Sequence, residues 1–363
     1  MRMSARENFH RMMTGDAPQW LPMFLNATEP VARRIQQRTR ATDLVDLFKL
    51  DFRPIFAGGA TDNRAWREAL VQLGVQLGPD AVVGYCGITH HVPPRESLGD
   101  ATHLRQLMHP LAEVERVEQI EHLPWPSVRP DDRAQLAAHV KQTHAEGRAA
   151  VAALECTLFE TAWYLRGMDN LVFDLVEGGA VGNWLLDRLT QRSCEFAALA
   201  AELGFDVIGL GDDVGTQRGM MMAPSFWREH LRPRLKRVID AIRAAQRGPL
   251  YIRYHSDGDI RPIVEDLIEI GVDVLNPMQP ECMAVDEIIE RFRGKIGFWG
   301  MIGTQQLMPF GTPAQIDAAV QQCAEWARQE ASIVVAPTHV LEPDVPWENI
   351  VALVEAVKRT AIQ

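Results

Sequence analysis

The chain has 363 residues, of which 47% are apolar and 23% charged, with 37 Lys plus Arg against 48 Asp plus Glu. That length buries roughly 75% of an extended chain's surface in one or two cores, and the apolar content excludes a disordered chain. A formal net charge of -11 excludes a broad phosphate-tracking surface, because such a surface needs clustered cations, so nucleic acid is not an expected partner.

The opening segment, MRMSARENFHRMMTGD, has no continuous apolar stretch of the kind that forms a secretion signal, and no run of 18 apolar residues follows it. No membrane association and a cytoplasmic location are therefore expected. Cys86, Cys156, Cys194, Cys282 and Cys323 are scattered without a C-x-x-C pair, so reduced thiols are expected. Ser4 with Glu7 predicts a capping box opening a first helix, each side chain satisfying a backbone N–H that the first turn leaves free. The apolar runs WLPMFL (20–25) and AVVGYCGI (81–88) read as strands, while HHVPPRESLGD and EHLPWPSVRPDD read as turn-rich insertions long enough to cover a cleft.

AAVAALEC (149–156) reads as a strand, followed by a helix from LFETAWYLRG that Gly167 ends. FDVIGLG (205–211) is the next strand. PSFWREHLRPRLKRVIDAIRAAQRG then places Leu231, Leu235, Ile239 and Ile242 on one helical face, closed by Gly248. LYIRY (250–254), VDVLNPM (272–278), KIGFWGMI (295–302) and SIVVAP (332–337) are further strands. Between them, Ile263, Val264, Leu267 and Ile268 form one helical stripe and Ile316, Val320, Cys323 and Ala324 another. Thr312, Pro313 and Gln315 supply the second helix with a cap, a preorganised first turn and a partner for the cap.

Short apolar strands alternating with amphipathic helices imply a parallel sheet covered on its outside. The eight strand candidates predict an α/β fold, a (β/α)8 TIM barrel with an N-terminal extension and loop insertions over the C-terminal face, built as one domain over 1–363. No G-x-G-x-x-G follows the first strand, which weakens an open dinucleotide-binding sheet.

In a barrel the residues just past each strand build the active face. Asp212 and Asp213 follow one strand, His255, Asp257 and Asp259 the next, then Cys282 and Gln305, and finally His339. His255 and Asp257 stand at i and i+2, so in an extended segment imidazole and carboxylate point the same way and can converge on a cation or a substrate. Zinc usually takes three protein ligands, for which His339 offers the third, with Cys282 and Glu160 as competitors. Each has a plainer reading. Asp257 or Asp259 can cap the next helix, His339 can tie down its proline-rich loop, Cys282 can be a small buried thiol, and Glu160 can cap a first turn. Asp212 and Asp213, as neighbours, offer one acid/base carboxylate between them if burial separates their pKa values.

The segments ALECTLFETAWYLRGMDNLV, GLGDDVGTQRGMMMAPSFWREHLRPRLK, YHSDGDIRPIVEDLIEIGVDVLNPMQPEC, GFWGMIGTQQLMPFGTPAQI and APTHVLEPDVPWENI resemble the uroporphyrinogen decarboxylase superfamily, which also contains zinc methyltransferases serving corrinoid-dependent methyl transfer. The resemblance implies a single (β/α)8 barrel with a cleft on its C-terminal face, and makes a homodimer plausible. The decarboxylases carry a W-x-M-R-Q-A-G-R-type segment whose arginines engage substrate carboxylates. Here the comparable stretch is QWLPMFLNATEP, with no arginine to offset the desolvation of several carboxylates. Asp51 in KLDFR is similar to the family's substrate-binding aspartate and His339 to a histidine near the decarboxylase C-terminal end. The methyltransferases have H-x-C where this chain has His255-Ser256-Asp257, and their later cysteine falls near His339.

The resemblance therefore implies His255 as a zinc ligand, with Asp257 and His339 at substituted positions; Cys282 stays the competing thiol that its place past a strand offers. A His-Asp-His set suits zinc or another first-row divalent ion. The expected function is a metal-dependent methyltransferase-like enzyme moving a methyl group between a small substrate and a corrinoid, with Glu160 or one of Asp212 and Asp213 directing protons. The D-x-H-x-x-G motif of a corrinoid carrier is missing, which places the corrinoid on a partner protein. Two alternatives remain. One is a decarboxylase of a pyrrolic or aromatic acid using Asp51 and His339 as catalytic residues; the other is a nonenzymatic protein that binds or delivers a cofactor.

Overall fold

A computed structural model describes residues 3–91 and 106–362. Seven parallel strands run in sequence order around one curled sheet: β1 (Phe52–Phe56), β2 (Ala149–Ala153), β3 (Val207–Gly211), β4 (Tyr251–His255), β5 (Val274–Met278), β6 (Gly297–Ile302) and β7 (Ile333–Pro337). The segment around Met23 fills the remaining gap. It forms a parallel bridge with Val335, Phe24 N donates to Val335 O at 3.0 Å, and Asp51 N donates to Met23 O at 3.2 Å. An eighth, irregular stave thus joins the last strand to the start of the first, and the fold is the expected α/β barrel surrounded by helices.

One predicted stave is corrected. AVVGYCGI is not in the barrel: Ala81–Val83 pairs antiparallel with Thr89–His91, which pairs with Gln106–Met108 in a separate small sheet. Its place is taken by FRPIF of β1. The apolar run breaks because Gly84 is followed by a tight turn in which Cys86 adopts φ 54°, a left-handed conformation that no strand sustains. The small sheet belongs to the insertion that follows the C-terminal end of β1. Most of the HHVPPRESLGD insertion lies outside the described residues.

Inside the barrel, Phe52, Ala149, Val151, Val207, Val274, Trp299, Val334 and Ala336 form one apolar cluster, capped by Phe9 and Met12 of the first helix, Ala5–Met13. Phe9 packs edge-on to Phe52 and to Tyr251 at centroid distances of 4.9 and 5.4 Å. The N-terminal extension therefore plugs the floor beneath the strands. Its capping box forms as expected, with Glu7 N donating to Ser4 Oγ and Ser4 N to Glu7 Oε2.

The outer helices bury the stripes read from their spacing. Leu235, Ile239 and Ile242 are buried in the helix Arg232–Ala245, which stops at Ala245, short of the expected Gly248. Gly167 ends Phe159–Arg166 at φ 83°, and Ile316, Val320, Cys323 and Ala324 are buried in Pro313–Arg328. Gln315 N donates to Thr312 Oγ1 at the head of that last helix. A Thr312→Ala substitution is expected to lower stability by about 1 kcal/mol, read as a shift in the urea midpoint with unchanged slope.

Candidate active site

The polar residues past the strands line a cleft of about 730 Å³ at the C-terminal mouth of the barrel. A larger groove, about 1040 Å³, lies outside the ring beside β1, between Arg53, Tyr85 and His139. It lacks the convergent strand-end groups that chemistry requires, so the mouth is the candidate site.

His255 is the last residue of β4. Its Nδ1 lies 2.8 Å from Asn276 Oδ1 on β5, and Asn276 Nδ2 donates to Trp299 O at 3.4 Å. That second bond fixes the amide with its oxygen toward the imidazole, so Nδ1 donates and the Nε2 lone pair faces the cleft. Asp213, from the loop after β3, and Asp257 bring Oδ1 atoms to 3.7 and 3.8 Å from Nε2. Asp257 N also donates to Asp213 Oδ1 at 2.7 Å, which ties the two loops together. Gly258 turns at φ 80°, where an added Cβ would lie 2.5 Å from Thr216 N; glycine lets the loop after β4 press against the loop after β3.

Among the described residues, Asp213, His255 and Asp257 are the group whose donor atoms all lie close enough to share a cation, within 4.8 Å of one another. Zinc bonds of roughly 2.0–2.2 Å put adjacent tetrahedral ligands roughly 3.3–3.5 Å apart. The two spacings from His255 need a contraction of only a few tenths of an ångström, and the two carboxylates, within 4.8 Å of each other, draw in further on the same ion, so the donor set suits a divalent cation. Burial disfavours the charged form of His255, but Asp257, Asp213 and the Asn276 hydrogen bond outweigh it and raise its pKa above the ordinary 6.5.

The expected site residues part company here. Asp257 faces His255, and Asp259 takes the local turn role instead, accepting from Arg261 N at 3.1 Å and from its guanidinium. His339 lines the same cleft, with its ring centroid 6.4 Å from that of His255. Two imidazoles on one tetrahedral ion stand roughly 5 Å apart, so His339 sits just outside the cluster. Cys282 turns to the hairpin after β3 and donates to Gln217 Oε1 at 2.8 Å.

Asp51 stands at the opposite end of β1. It accepts from Trp20 Nε1 at 2.7 Å and from Met23 N at 2.8 Å. Burial pushes its carboxyl up to about 6 against those two donors. Its place ties the eighth stave to the barrel, far from the mouth.

Asp212 is buried and accepts from Leu158 N at 3.0 Å and Glu160 N at 2.9 Å, holding the start of the helix Phe159–Arg166. Burial, then the neighbouring Glu160, push it up to about 7. Asp213 is the member of the pair that reaches the cleft. Glu160 lines the wall, accepts from Tyr164 OH at 2.6 Å and from Asp213 N at 3.0 Å, and is raised by burial and by Asp213. Asn276, Arg253 and Trp299 also line the cleft without having been singled out in the sequence, as does Glu155, which with Glu160 brackets the segment CTLF.

The fold and this mouth define an α/β-barrel enzyme whose polar machinery sits past the strands. The chain belongs to the uroporphyrinogen decarboxylase (URO-D) family, whose model matches residues 62–360. It is similar to a methyltransferase from Methanosarcina mazei, at 17% identity and TM-score 0.63 over 98% of this chain and 99% of that one. More distant likenesses include xylanase B from Clostridium stercorarium F9, at 11% identity and TM-score 0.36 over 59% of this chain and 73% of that one. No curated protein matches in sequence. No helix among the described residues is long and apolar enough to cross a membrane.

Proposed function

We propose that Asp213, His255 and Asp257 hold a divalent cation at the barrel mouth and that this enzyme carries out metal-dependent methyl transfer between a small molecule and a carrier protein bearing a corrinoid. The carrying observation is the Asn276-oriented His255 with two carboxylates at 3.7 and 3.8 Å. The full-length likeness to a methyltransferase supports the reaction class. A bound ion would supply Lewis acidity toward a heteroatom of the substrate. His255 and the two aspartates position that heteroatom, Glu160 and Tyr164 keep a proton in the wall beside it, and the acidic rim repels substrates carrying several carboxylates.

A second reading, decarboxylation of a pyrrolic or aromatic acid, is the one the comparisons back better, since the family model that matches residues 62–360 is that of uroporphyrinogen decarboxylase. The buried, raised-pKa carboxyl of Glu160 is a suitable donor of the proton that replaces carbon dioxide. Elemental analysis of protein purified without added metal separates the two: a stoichiometric divalent ion is the expected result. Carbon dioxide release at an unchanged rate in the presence of chelator would reject methyl transfer in favour of decarboxylation. An Asn276→Ala variant is expected to bind the ion about 10- to 100-fold more weakly, because the imidazole loses its orienting partner; competition with a chromophoric chelator measures it.

A further inference from the structure

Below the cation cluster, the same strand carries Arg253. Residues i and i+2 of a strand face the same side, so Arg253 and His255 both face the cleft, which both line. The residue is buried, 6% exposed. Its Nη2 pairs with Glu155 Oε1, its Cζ lies 4.9 Å from the Trp299 ring centroid and 5.9 Å from that of Phe24, and its Nε is sealed in with no hydrogen-bond partner among the described residues. Gly209 on the neighbouring strand makes this possible: a Cβ there would come within 2.5 Å of Glu155 Oε1 and 2.8 Å of Arg253 Nη2.

A buried arginine–carboxylate pair adds little net stability compared with apolar packing of the same volume. Here the barrel gives up a side chain at position 209 to keep one. Among the described residues the guanidinium has one carboxylate partner and unused donor capacity, since a guanidinium carries five N–H groups. The guanidinium is confined between the Trp299 and Phe24 rings and the Glu155 carboxylate, so little ordering entropy is lost when an oxyanion docks.

We propose that Arg253 is the substrate anchor of this cleft, and that the substrate is a compact monocarboxylate whose carboxylate docks on the guanidinium while its reacting heteroatom reaches the cation cluster at the end of the same strand. This deepens the methyl-transfer reading and rests on it for the identity of the reacting end. The carboxylate sits on the guanidinium in competition with Glu155. The flat apolar walls of Phe24, Trp299, Pro54 and Pro337 accept a single ring or a short chain between the two ends. One guanidinium among the carboxylates of Glu155, Glu160, Asp213 and Asp257 satisfies one oxyanion, which excludes a substrate with many.

The test is calorimetric titration of full-length protein, metal-free and zinc-loaded, with benzoate, 4-methoxybenzoate and 3-phenylpropionate, each against its methyl ester. At least one acid is expected to bind about tenfold or more tightly than its ester, the weight of one charge-assisted hydrogen bond. Glu155→Gln is expected to tighten the acid severalfold by removing its competitor. The charge-neutral pair Arg253→Met with Glu155→Gln is expected to erase the acid–ester difference. No acid exceeding its ester, or a difference that survives in the double variant, overturns the proposal; the comparison of acid with ester needs no variant to fold. Zinc binding in the same titrations is a separate readout. Zinc bound with no acid preference rejects the anchor and leaves the cation site standing. Acid preference without zinc binding rejects the cation site and supports the anchor.

Discussion

A His255→Ala variant is expected to lose divalent-ion affinity by more than about a hundredfold, whereas His339→Ala is expected to stay within about tenfold of the parent. The difference follows from position. Nε2 of His255 is the atom on which both Asp213 and Asp257 converge, and its tautomer is set by Asn276. Removing it leaves two carboxylates with no imidazole between them, held together by the bond from Asp257 N to Asp213 Oδ1. The His339 ring is 6.4 Å away, centroid to centroid, beyond the roughly 5 Å of two imidazoles on one tetrahedral ion. Competition with a chromophoric chelator at fixed pH reads both variants. Equal losses would show that His339 moves in to ligate. An intermediate check is Asp213→Asn, which keeps the shape and one oxygen but removes the charge, and should weaken the ion more than His339→Ala does.

The second half of the barrel was legible in the sequence because β3 to β7 are wholly or largely buried and so read as short apolar runs between amphipathic helices. β1 was not, because its alternate residues are solvated. Arg53 points outward to Asp43, Asp46 and Glu146, Pro54 breaks the apolar pattern, and Phe56 is 59% exposed. The apolar AVV run was the more strand-like of the two, and it is a strand, but in another sheet. A local pattern reports burial on a face; it does not name the face's partner.

The site divides the same way. His255 with Asp257 was visible because i, i+2 spacing in a strand end has a direct geometric meaning. The choice between Asp212 and Asp213 was not visible, since it depends on Leu158 and Glu160, whose N–H groups claim Asp212 from more than 50 residues away in sequence. Asn276 and the Glu155–Arg253 pair are likewise set by strand register: Asn276 is the partner of His255 and Gly209 that of Arg253. The neighbours of β4 could be guessed from order around a barrel, but not which side chain would reach which.

Asp206→Ala is expected to destabilise the protein by about 3–5 kcal/mol, the loss typical of removing one partner from a buried charged cluster. The residue precedes β3 at the floor of the barrel and its side chain is fully buried. It accepts from Arg6 Nε at 2.7 Å and Ala150 N at 2.8 Å, and lies 2.7 Å from His10 Nε2 and 2.8 Å from His144 Nε2. The first helix, the helix Pro130–Ala145 and β2 therefore meet on one carboxylate. Burial works against its charge, but His10, the Ala150 N–H and Arg6 together hold its pKa below the ordinary 3.8. A carboxylate depressed on folding stabilises above its unfolded value. That contribution is complete above about pH 4 and is lost as pH falls through the folded value, because the unfolded chain then takes up the proton first. Urea denaturation at pH 7 should show the full deficit in Asp206→Ala, and the gap between variant and parent should narrow as the pH is lowered below 4. A gap that stays constant down to pH 3 would mean that the shape of the side chain, rather than its charge, holds the N-terminal plug in place.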